Sequence, residues 1–92
     1  MKPNFDWDDG KAKRNLKKHR VSFDEAASVF DDPRLITFPD PLHSESEERY
    51  LSIGISSNGR LLIVSHADRE NKIRIINSRK AALLERRLYE EN

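Results

Sequence analysis

The tetrapeptide SNGR, at residues 57–60, constrains the fold more than any other feature of the sequence. It lies between two apolar runs, and Asn-Gly is the strongest local signal for a β-hairpin because a type I′ turn needs a positive φ at both central residues. Such a turn would place Ile55 opposite Leu62, and a second hairpin through residues 68–71 would add a strand over 72–77. The sequence therefore predicts an antiparallel sheet of three or four strands.

The predicted pairing gives this sheet two unlike faces. One face is apolar and must pack against helices, and it carries Leu51, Ile53, Ile55, Leu62, Val64, Ile73 and Ile75. The other face is half polar and rich in small side chains, as in a surface that accepts a ligand. It carries Tyr50, Ser52, Gly54, Ser56, Ser65, Lys72 and Arg74, with Leu61, Ile63 and Ile76. A slip of one residue in the second hairpin would exchange the faces of its last strand.

Two helices are predicted before the sheet. The first begins after Asp8, a good N-cap, and ends near His19. The second begins after Ser22, in an SFDE motif that matches a capping box with Glu25 reaching back to the N-cap, and it ends near Phe30. A short strand, LITF, and an exposed acidic loop, PDPLHSESEE, follow.

A third helix is predicted to begin after Ser78 and to end near Glu90. Arg79 would then lie in its first turn, where a cation opposes the helix dipole. That position is reasonable if Arg79 and Arg74 hold one anion near the helix N-terminus, and the alternative is that these cations pair with Glu85 or with the acidic loop. The stripe expected to pack inward is Ala81, Leu84 and Leu88.

The charge is nearly balanced, with 17 Lys and Arg against 16 Asp and Glu, but it is patterned along the chain. Residues 1–20 and 72–87 are basic, and residues 31–48 are acidic. Basic ends around an acidic middle suit a protein that meets a polyanion on one surface and something else on another. The side chains expected to contact phosphates are Lys11, Arg14, Lys18, Lys72 and Lys80.

The composition also limits the class of protein. A chain of 92 residues is expected to form one domain, residues 1–92, with a modest core. It contains no cysteine, which excludes a disulfide framework and favours a reducing compartment. No apolar segment approaches the roughly 18 residues that a membrane helix needs. We therefore expect a cytoplasmic protein.

Few side chains are available for catalysis. No nucleophilic triad, glycine-rich phosphate loop or helical metal motif is found, so neither a cofactor nor a metal is expected. His43 lies among acids, but their spacing matches no known metal loop. His66 ends a central strand, where it could act as a general acid or base, or could be a hydrogen-bonded histidine that closes the core.

Three long segments together cover almost the whole chain, namely FDWDDGKAKRNLKKHRVSFDEAASVFDDP, DPLHSESEERYLSIGIS and RIINSRKAALLERRLYEE. In the order and spacing of their motifs they resemble the BrnT family of bacterial type II toxins. The resemblance implies an α+β, RelE-like fold with two N-terminal helices, an antiparallel sheet of three to four strands and a C-terminal helix. Two positions depart from the family pattern: Arg20 replaces the usual glycine, and Asn77 precedes the serine that usually follows the Ile pair.

The resemblance also implies a function, namely an endoribonuclease toxin that inhibits translation. RelE-like nucleases resemble enzymes in which the ribose 2′-hydroxyl attacks the neighbouring phosphate without a metal. The implied partners are an RNA substrate and a cognate, DNA-binding, BrnA-like antitoxin, in a complex that is a higher oligomer. Leu83 projects away from the predicted stripe and fits a surface for that antitoxin. The implied catalytic residues are Arg49, His66, Arg69, Arg74 and Arg79.

Two other classes of function fit the same residues. A non-catalytic RNA-binding module would use the basic helix and the cationic sheet without cutting RNA. A protein-interaction domain would use the acidic and basic patches for a partner.

Overall fold

The computed structural model describes residues 4–43 and 47–92. Within these residues the chain forms three α-helices and one five-stranded sheet with the strand order β1-β5-β4-β3-β2. The elements in chain order are β1 (Asn4–Asp6), α1 (Asp9–His19), α2 (Phe23–Ser28), a 3₁₀ turn (Val29–Asp31), β2 (Ile36–Pro39), a second 3₁₀ turn (Pro41–His43), β3 (Arg49–Ile55), β4 (Leu61–Arg69), β5 (Lys72–Lys80) and α3 (Leu83–Glu90).

The α+β class is confirmed, but the predicted strand count and purely antiparallel order are wrong. The additional strand is β1, which pairs parallel with the start of β5 so that Asp6 lies opposite Arg74. The other three pairs of neighbouring strands are antiparallel. A three-residue strand has too few residues to show a period in the sequence, so β1 was not predicted.

Helix α1 has the bounds that its capping residues predict. The Asp8 carboxylate accepts a hydrogen bond from the Lys11 N–H (2.9 Å), and the Arg20 N–H donates to the Leu16 carbonyl (2.9 Å). Arg20 has φ 61° and ψ 32°, the left-handed conformation that commonly ends a helix. This conformation explains the glycine that the resemblance led us to expect at position 20.

Only half of the predicted capping box forms in α2. The Ser22 hydroxyl accepts a hydrogen bond from the Glu25 N–H (3.0 Å), as predicted. The Glu25 carboxylate does not return to the N-cap, because it accepts hydrogen bonds from the Arg60 Nε–H (2.9 Å) and the Ser56 hydroxyl (2.7 Å). Glu25 therefore connects the start of α2 to the loop between β3 and β4.

The hairpin between β3 and β4 is closed by the pair Ser56 and Arg60 around a three-residue loop, residues 57–59, and the predicted type I′ turn does not form. The Ser56 N–H donates to the Arg60 carbonyl (2.8 Å), and the Gly59 N–H donates to the Ser56 carbonyl (2.9 Å). Gly59 has φ 76°, whereas Asn58 does not have a positive φ. A three-residue hairpin loop needs a left-handed residue only at its last position. The strands consequently pair with Ile55 opposite Leu61, one residue away from the predicted register.

This register gives each side of the sheet its own core, and the predicted division into faces is wrong. Helices α1 and α2 pack on the first face, here called the α1–α2 face, with a core of Val21, Phe23, Ala26, Val29, Leu62, Val64 and Ile75. Helix α3 packs on the opposite α3 face, with a core of Ile53, Leu61, Ile63 and Tyr89. Because both faces are covered, all of residues 61–67 are buried in β4. Ser65 and Arg74 lie on the α3 face, whereas Tyr50, Ser52 and Gly54 lie on the α1–α2 face.

The junction between β5 and α3 also differs from the prediction. Ser78 does not cap a helix, because its N–H donates to the Asn15 side-chain oxygen (3.1 Å) and its hydroxyl donates to the Ile63 carbonyl (3.0 Å). The strand therefore continues to Lys80, and α3 begins at Leu83.

The stripe predicted to pack inward from α3 is largely exposed. Leu84 and Leu88 are 70% and 41% exposed, whereas Tyr89 is buried. The later start of the helix changes which residues face the sheet.

We expect the substitution Arg20→Gly to stabilise the protein by about 0.5 to 1 kcal/mol, because glycine adopts the left-handed conformation without the steric cost that a side chain incurs. The gain is measured as an increase in the free energy of unfolding in urea. The matched control is Gly59→Ala, which introduces a side chain at φ 76° where no neighbouring atom lies within 4 Å, so the backbone strain alone should lower stability. A less stable Arg20→Gly variant would contradict this account of position 20.

Candidate active site

Three arginines that lie far apart in sequence meet on the α3 face. Arg49 is opposite Ala67, and Ala67 is in turn opposite Arg74, so a small residue separates the two arginines across three adjacent strands. Arg69 lies two residues along β4 from Ala67, on the same face, because side chains alternate along a strand. Strands are about 4.8 Å apart, so the Cα atoms of Arg49 and Arg74 are separated by about 10 Å. We call Arg49, Arg69 and Arg74 the arginine cluster.

A carboxylate, that of Glu47, lies within the arginine cluster. Its Oε2 accepts hydrogen bonds from Arg69 Nε–H (3.1 Å) and Nη2–H (2.7 Å). These hydrogen bonds lower the pKa of Glu47 against the opposing effect of desolvation, and the charges of Arg69, Arg49 and Arg74 lower it further. Glu47 is therefore ionised at neutral pH.

A second carboxylate, Asp6, reaches the cluster from β1. Arg74 Nη1–H donates to Asp6 Oδ1 at 3.3 Å, a long hydrogen bond between two partly exposed side chains. Among the described residues, the carboxylates of Glu47 and Asp6 are hydrogen bonded to Arg69 and Arg74 of the cluster. The exposed Lys72 lies opposite Arg69 and adds a positive charge.

Arg79 lies outside the arginine cluster. Its Nη1 and Nη2 donate to the two carboxylate oxygens of Glu85 (2.8 and 2.7 Å). The alternative predicted from the sequence, an ion pair between Arg79 and Glu85, is therefore confirmed. This bidentate contact from Arg79 is the main cause that lowers the pKa of Glu85.

Arg79 also lines an open cleft of about 440 Å³ between α1 and the end of β5, here called the α1–β5 cleft. Lys11, Arg14 and Lys18 are three and four residues apart and so share one face of α1, which forms one wall of this cleft. The described residues that line it include no acidic side chain, and they are Lys11, Arg14, Asn15, Lys18, His19, Ile76, Asn77 and Arg79. Of the other predicted phosphate contacts, Lys80 is exposed at the end of β5 and is not part of this lining.

His66 lies on the α1–α2 face, away from the arginine cluster, and is only 1% exposed. Its Nδ1 is hydrogen bonded to Asp68 (2.7 Å) and its Nε2 to the Ser52 hydroxyl (2.7 Å). Burial lowers the pKa of His66, with Asp68 acting in the opposite direction, so the imidazole is neutral at neutral pH. These contacts match the prediction of a hydrogen-bonded histidine that closes the core.

Ser52, His66 and Asp68 have the hydrogen-bond order of a serine hydrolase triad. Ser52 is completely buried, however, and its hydroxyl is also hydrogen bonded to Thr37 (2.8 Å). No substrate can reach this hydroxyl in the folded protein. With Thr37 they form a polar chain that connects strands β2, β3 and β4 and ends at the half-exposed side chain of Asp68.

Sequence reasoning missed the two carboxylates of the site. Asp6 precedes the first helix, and Glu47 belongs to the segment that was interpreted as an exposed acidic loop. The signal for Glu47 is the pair Glu47 and Arg49, two residues apart at the start of a strand. Ser44, Glu45 and Ser46 of the same predicted loop lie outside the described residues.

In residues 4–43 and 47–92 no group of three His, Asp or Glu side chains is close enough to hold a metal ion. His43 is instead hydrogen bonded to Asp40 (2.9 Å). No helix in this part of the chain is long and apolar enough to cross a membrane.

Comparison with known proteins gives one family and one fold. Residues 7–85 match the family described as the ribonuclease toxin BrnT of type II toxin–antitoxin systems. The crystal structure of the ribonuclease toxin BrnT from Brucella abortus superposes with a TM-score of 0.68 at 19% sequence identity, covering 87% of this chain and 97% of that one. No curated protein matches the sequence. The structural likeness, at this identity, supports the fold alone.

We expect His66 to make stability depend on pH. The unfolded chain binds a proton near the ordinary histidine pKa of about 6.5, whereas the folded protein resists protonation until a lower pH. The contribution of His66 to the free energy of unfolding should therefore be complete above the ordinary pKa of about 6.5 and should be lost as the pH falls through the lowered pKa of the folded protein. The measurement is urea unfolding at several pH values for the parent and for His66→Gln. The difference between the two proteins isolates His66 from His19 and His43, and parallel pH curves would contradict the assignment.

Proposed function

This chain belongs to the BrnT family of ribonuclease toxins of type II toxin–antitoxin systems, and we propose that it cleaves RNA at the arginine cluster. The observation that supports this site is the convergence of Arg49, Arg69 and Arg74 from three neighbouring strands onto the α3 face, where the side chains of Arg69 and Arg74 are partly exposed. Guanidinium groups bind phosphate with paired, charge-assisted hydrogen bonds. Three of them around one position match the charge of a phosphodiester and of the transition state formed from it.

The proposed reaction needs no metal and no protein nucleophile. The ribose 2′-hydroxyl attacks the adjacent phosphorus, and the bond from phosphorus to the 5′-oxygen breaks. The arginines hold the non-bridging phosphate oxygens and stabilise the negative charge that grows on them. Arg74 is the best placed to bind a phosphate, because its hydrogen bond to Asp6 is long and a third of its side chain is exposed.

We propose that the α1–β5 cleft carries the RNA backbone beside the cleaved phosphate. Strand β5 joins the two places, since Arg74 and Arg79 are separated by about 16 Å along it. A positively charged groove that follows the backbone is how proteins hold single-stranded nucleic acid without reading its sequence. Lys11, Arg14 and Lys18 would contact phosphates there, and Arg79 would exchange Glu85 for a phosphate.

Lys72 and Lys80 would add contacts at the two ends of β5. His66 would act as a positioning residue that supports the central strands, because its ring lies on the opposite face of the sheet.

The type II family implies an antitoxin, and we propose that it binds the exposed side of α3. Leu83, Leu84 and Leu88 are 66%, 70% and 41% exposed, so this short helix presents three large apolar side chains to solvent. Such a group is unusual for a monomer and is typical of a protein interface. We further propose that the antitoxin is a BrnA-like DNA-binding protein and that its complex with the toxin is a higher oligomer. Inhibition of translation would follow from RNA cleavage, and both proteins would act in the cytoplasm.

We expect Arg74→Ala to reduce RNA cleavage by about a hundredfold or more, since it removes a donor aimed at the transition-state charge. Arg74→Lys should also remain slow, because lysine keeps the charge but loses the two-pronged guanidinium. The measurement is the cleavage rate of a labelled messenger RNA transcript in the presence of a chelator.

The matched control is Arg87→Ala, which removes an exposed arginine from α3 and should cleave at the parental rate. Lys11→Ala should cleave well but bind RNA slightly less tightly, with a smaller dependence on salt. Parental cleavage by Arg74→Ala, or loss of parental activity in chelator, would contradict the proposed site. Binding of RNA by the parent without any cleavage would support the non-catalytic alternative.

We expect the double substitution Leu83→Asp and Leu84→Asp to prevent co-purification of the antitoxin when both genes are expressed together, because charges replace the exposed apolar contacts. The folding control is an unchanged melting temperature, which should hold because both side chains face solvent. Full recovery of the complex with the double variant would place the antitoxin elsewhere.

A further inference from the structure

The position of Glu47 is difficult to explain if the arginine cluster only binds phosphate. A carboxylate beside the three arginines repels the anion that they attract, and it weakens the positive potential of the site. Arg69 has a partner in Glu47, yet Arg49 and Arg74 are also close enough for their charges to act on the same carboxylate. Glu47 therefore belongs to the centre of the site and is not simply the partner of one arginine.

The two carboxylate oxygens of Glu47 have different surroundings. Both hydrogen bonds from Arg69 fall on Oε2, and among the described residues none falls on Oε1. The side chain is 28% exposed, so a substrate hydroxyl can approach Oε1 from solvent. Arg69 thus fixes the orientation of the carboxylate and leaves one oxygen ready to accept a proton.

We propose that Glu47 is the general base of the reaction, and that its Oε1 removes the proton from the ribose 2′-hydroxyl. This inference rests on the proposed cleavage of RNA at the arginine cluster. As the 2′-oxygen bonds to phosphorus, the bond from phosphorus to the 5′-oxygen breaks, and that oxygen takes a proton from solvent water. Glu47 then returns its proton to solvent, so the products are a 2′,3′-cyclic phosphate and a 5′-hydroxyl with no net change in protons.

The other titratable groups near the site are less suited to this step. Guanidinium groups have no acceptor and remain protonated in proteins. His66 is buried on the opposite face, and His43 is hydrogen bonded to Asp40. Asp6 is the nearest competitor, but it lies on the edge strand and its hydrogen bond to the cluster, from Arg74, is long at 3.3 Å.

The arginines also set the pH range of a base at this position. Because Arg69 lowers the pKa of Glu47 below its ordinary value of 4.5, the carboxylate stays ionised and able to accept a proton throughout the neutral range. The cleavage rate should therefore decrease only at acid pH, where Glu47 becomes protonated. Without Glu47 this decrease should disappear.

The test compares five variants on one labelled messenger RNA transcript, with cleavage rate and RNA affinity measured separately for each. Glu47→Gln should cleave about a hundredfold or more slowly, the usual loss when a general base is removed. Its affinity for RNA should be equal to that of the parent or higher, because a negative charge has been removed. Asp6→Asn should cleave much faster than Glu47→Gln, and the control Glu48→Gln should match the parent, since Glu48 contacts Tyr50 and not the cluster.

Rescue of the lost base gives a result that a structural role would not produce. Added formate should partly restore cleavage by Glu47→Ala, because a small carboxylate can occupy the space left by the side chain. The proposal is wrong if Glu47→Gln cleaves at the parental rate, or if its slower cleavage is explained entirely by weaker RNA binding. Arg74→Ala in the same series separates the two proposals: if it cleaves normally, the arginine cluster is not the site, whereas normal cleavage by Glu47→Gln alone removes only the base.

Discussion

The arrangement of charges on this protein depends on the register of the β3–β4 hairpin. A shift of one residue along β4 would move Ala67 and Arg69 to the α1–α2 face and His66 to the α3 face. Arg69 would then point into the core and His66 toward the cations. The three-residue loop between the strands, with its single left-handed glycine, therefore determines which side chains meet in the candidate site.

A buried network around Glu25 holds this loop in place. The Ser56 hydroxyl accepts hydrogen bonds from the N–H groups of Asn58 and Arg60 (3.2 Å each) and donates to Glu25, which also pairs with the Arg60 guanidinium. Arg60 Nη2–H donates in addition to the carbonyl of Arg20 (2.9 Å), so the loop is tied to the junction between α1 and α2. The hydrogen bond from Arg60 outweighs desolvation and lowers the pKa of Glu25, which stays charged. Removing one partner of such a pair leaves a buried charge without compensation.

Sequence reasoning succeeded where local chemistry decides the structure. Asp8 and Ser22 cap the first two helices as predicted, because their contacts reach only three residues along the chain. It failed where distant residues compete for the same groups. Ser78 is a good N-cap residue, but its N–H donates a hydrogen bond to the side chain of Asn15, 63 residues away in sequence. Strand β5 therefore continues where a helix was expected.

The candidate site was predictable only in part, because it depends on contacts between residues that are distant in sequence. Arg49, Arg69 and Arg74 were singled out through resemblance to a family, while their common face follows from a register that the turn signal assigned incorrectly. Glu47 resembled every other acid of a solvated loop, because its role depends on arginines up to 27 positions away in sequence. The spatial neighbours of a charged side chain are known only once the pairing of the strands is known.

The pairing of β1 with β5 has a consequence for how the protein is made. Asp6 contacts Arg74 across 68 residues of sequence, and Asn15 contacts Ser78 across 63, so the first and last parts of the chain form contiguous structure. Chains emerge from the ribosome from the N-terminus onward, and contacts of such long range form late. The arginine cluster cannot be complete until β5 has been synthesised, which is only a few residues before α3 appears. The arginine cluster and the helix that carries the exposed leucines are therefore completed at almost the same moment.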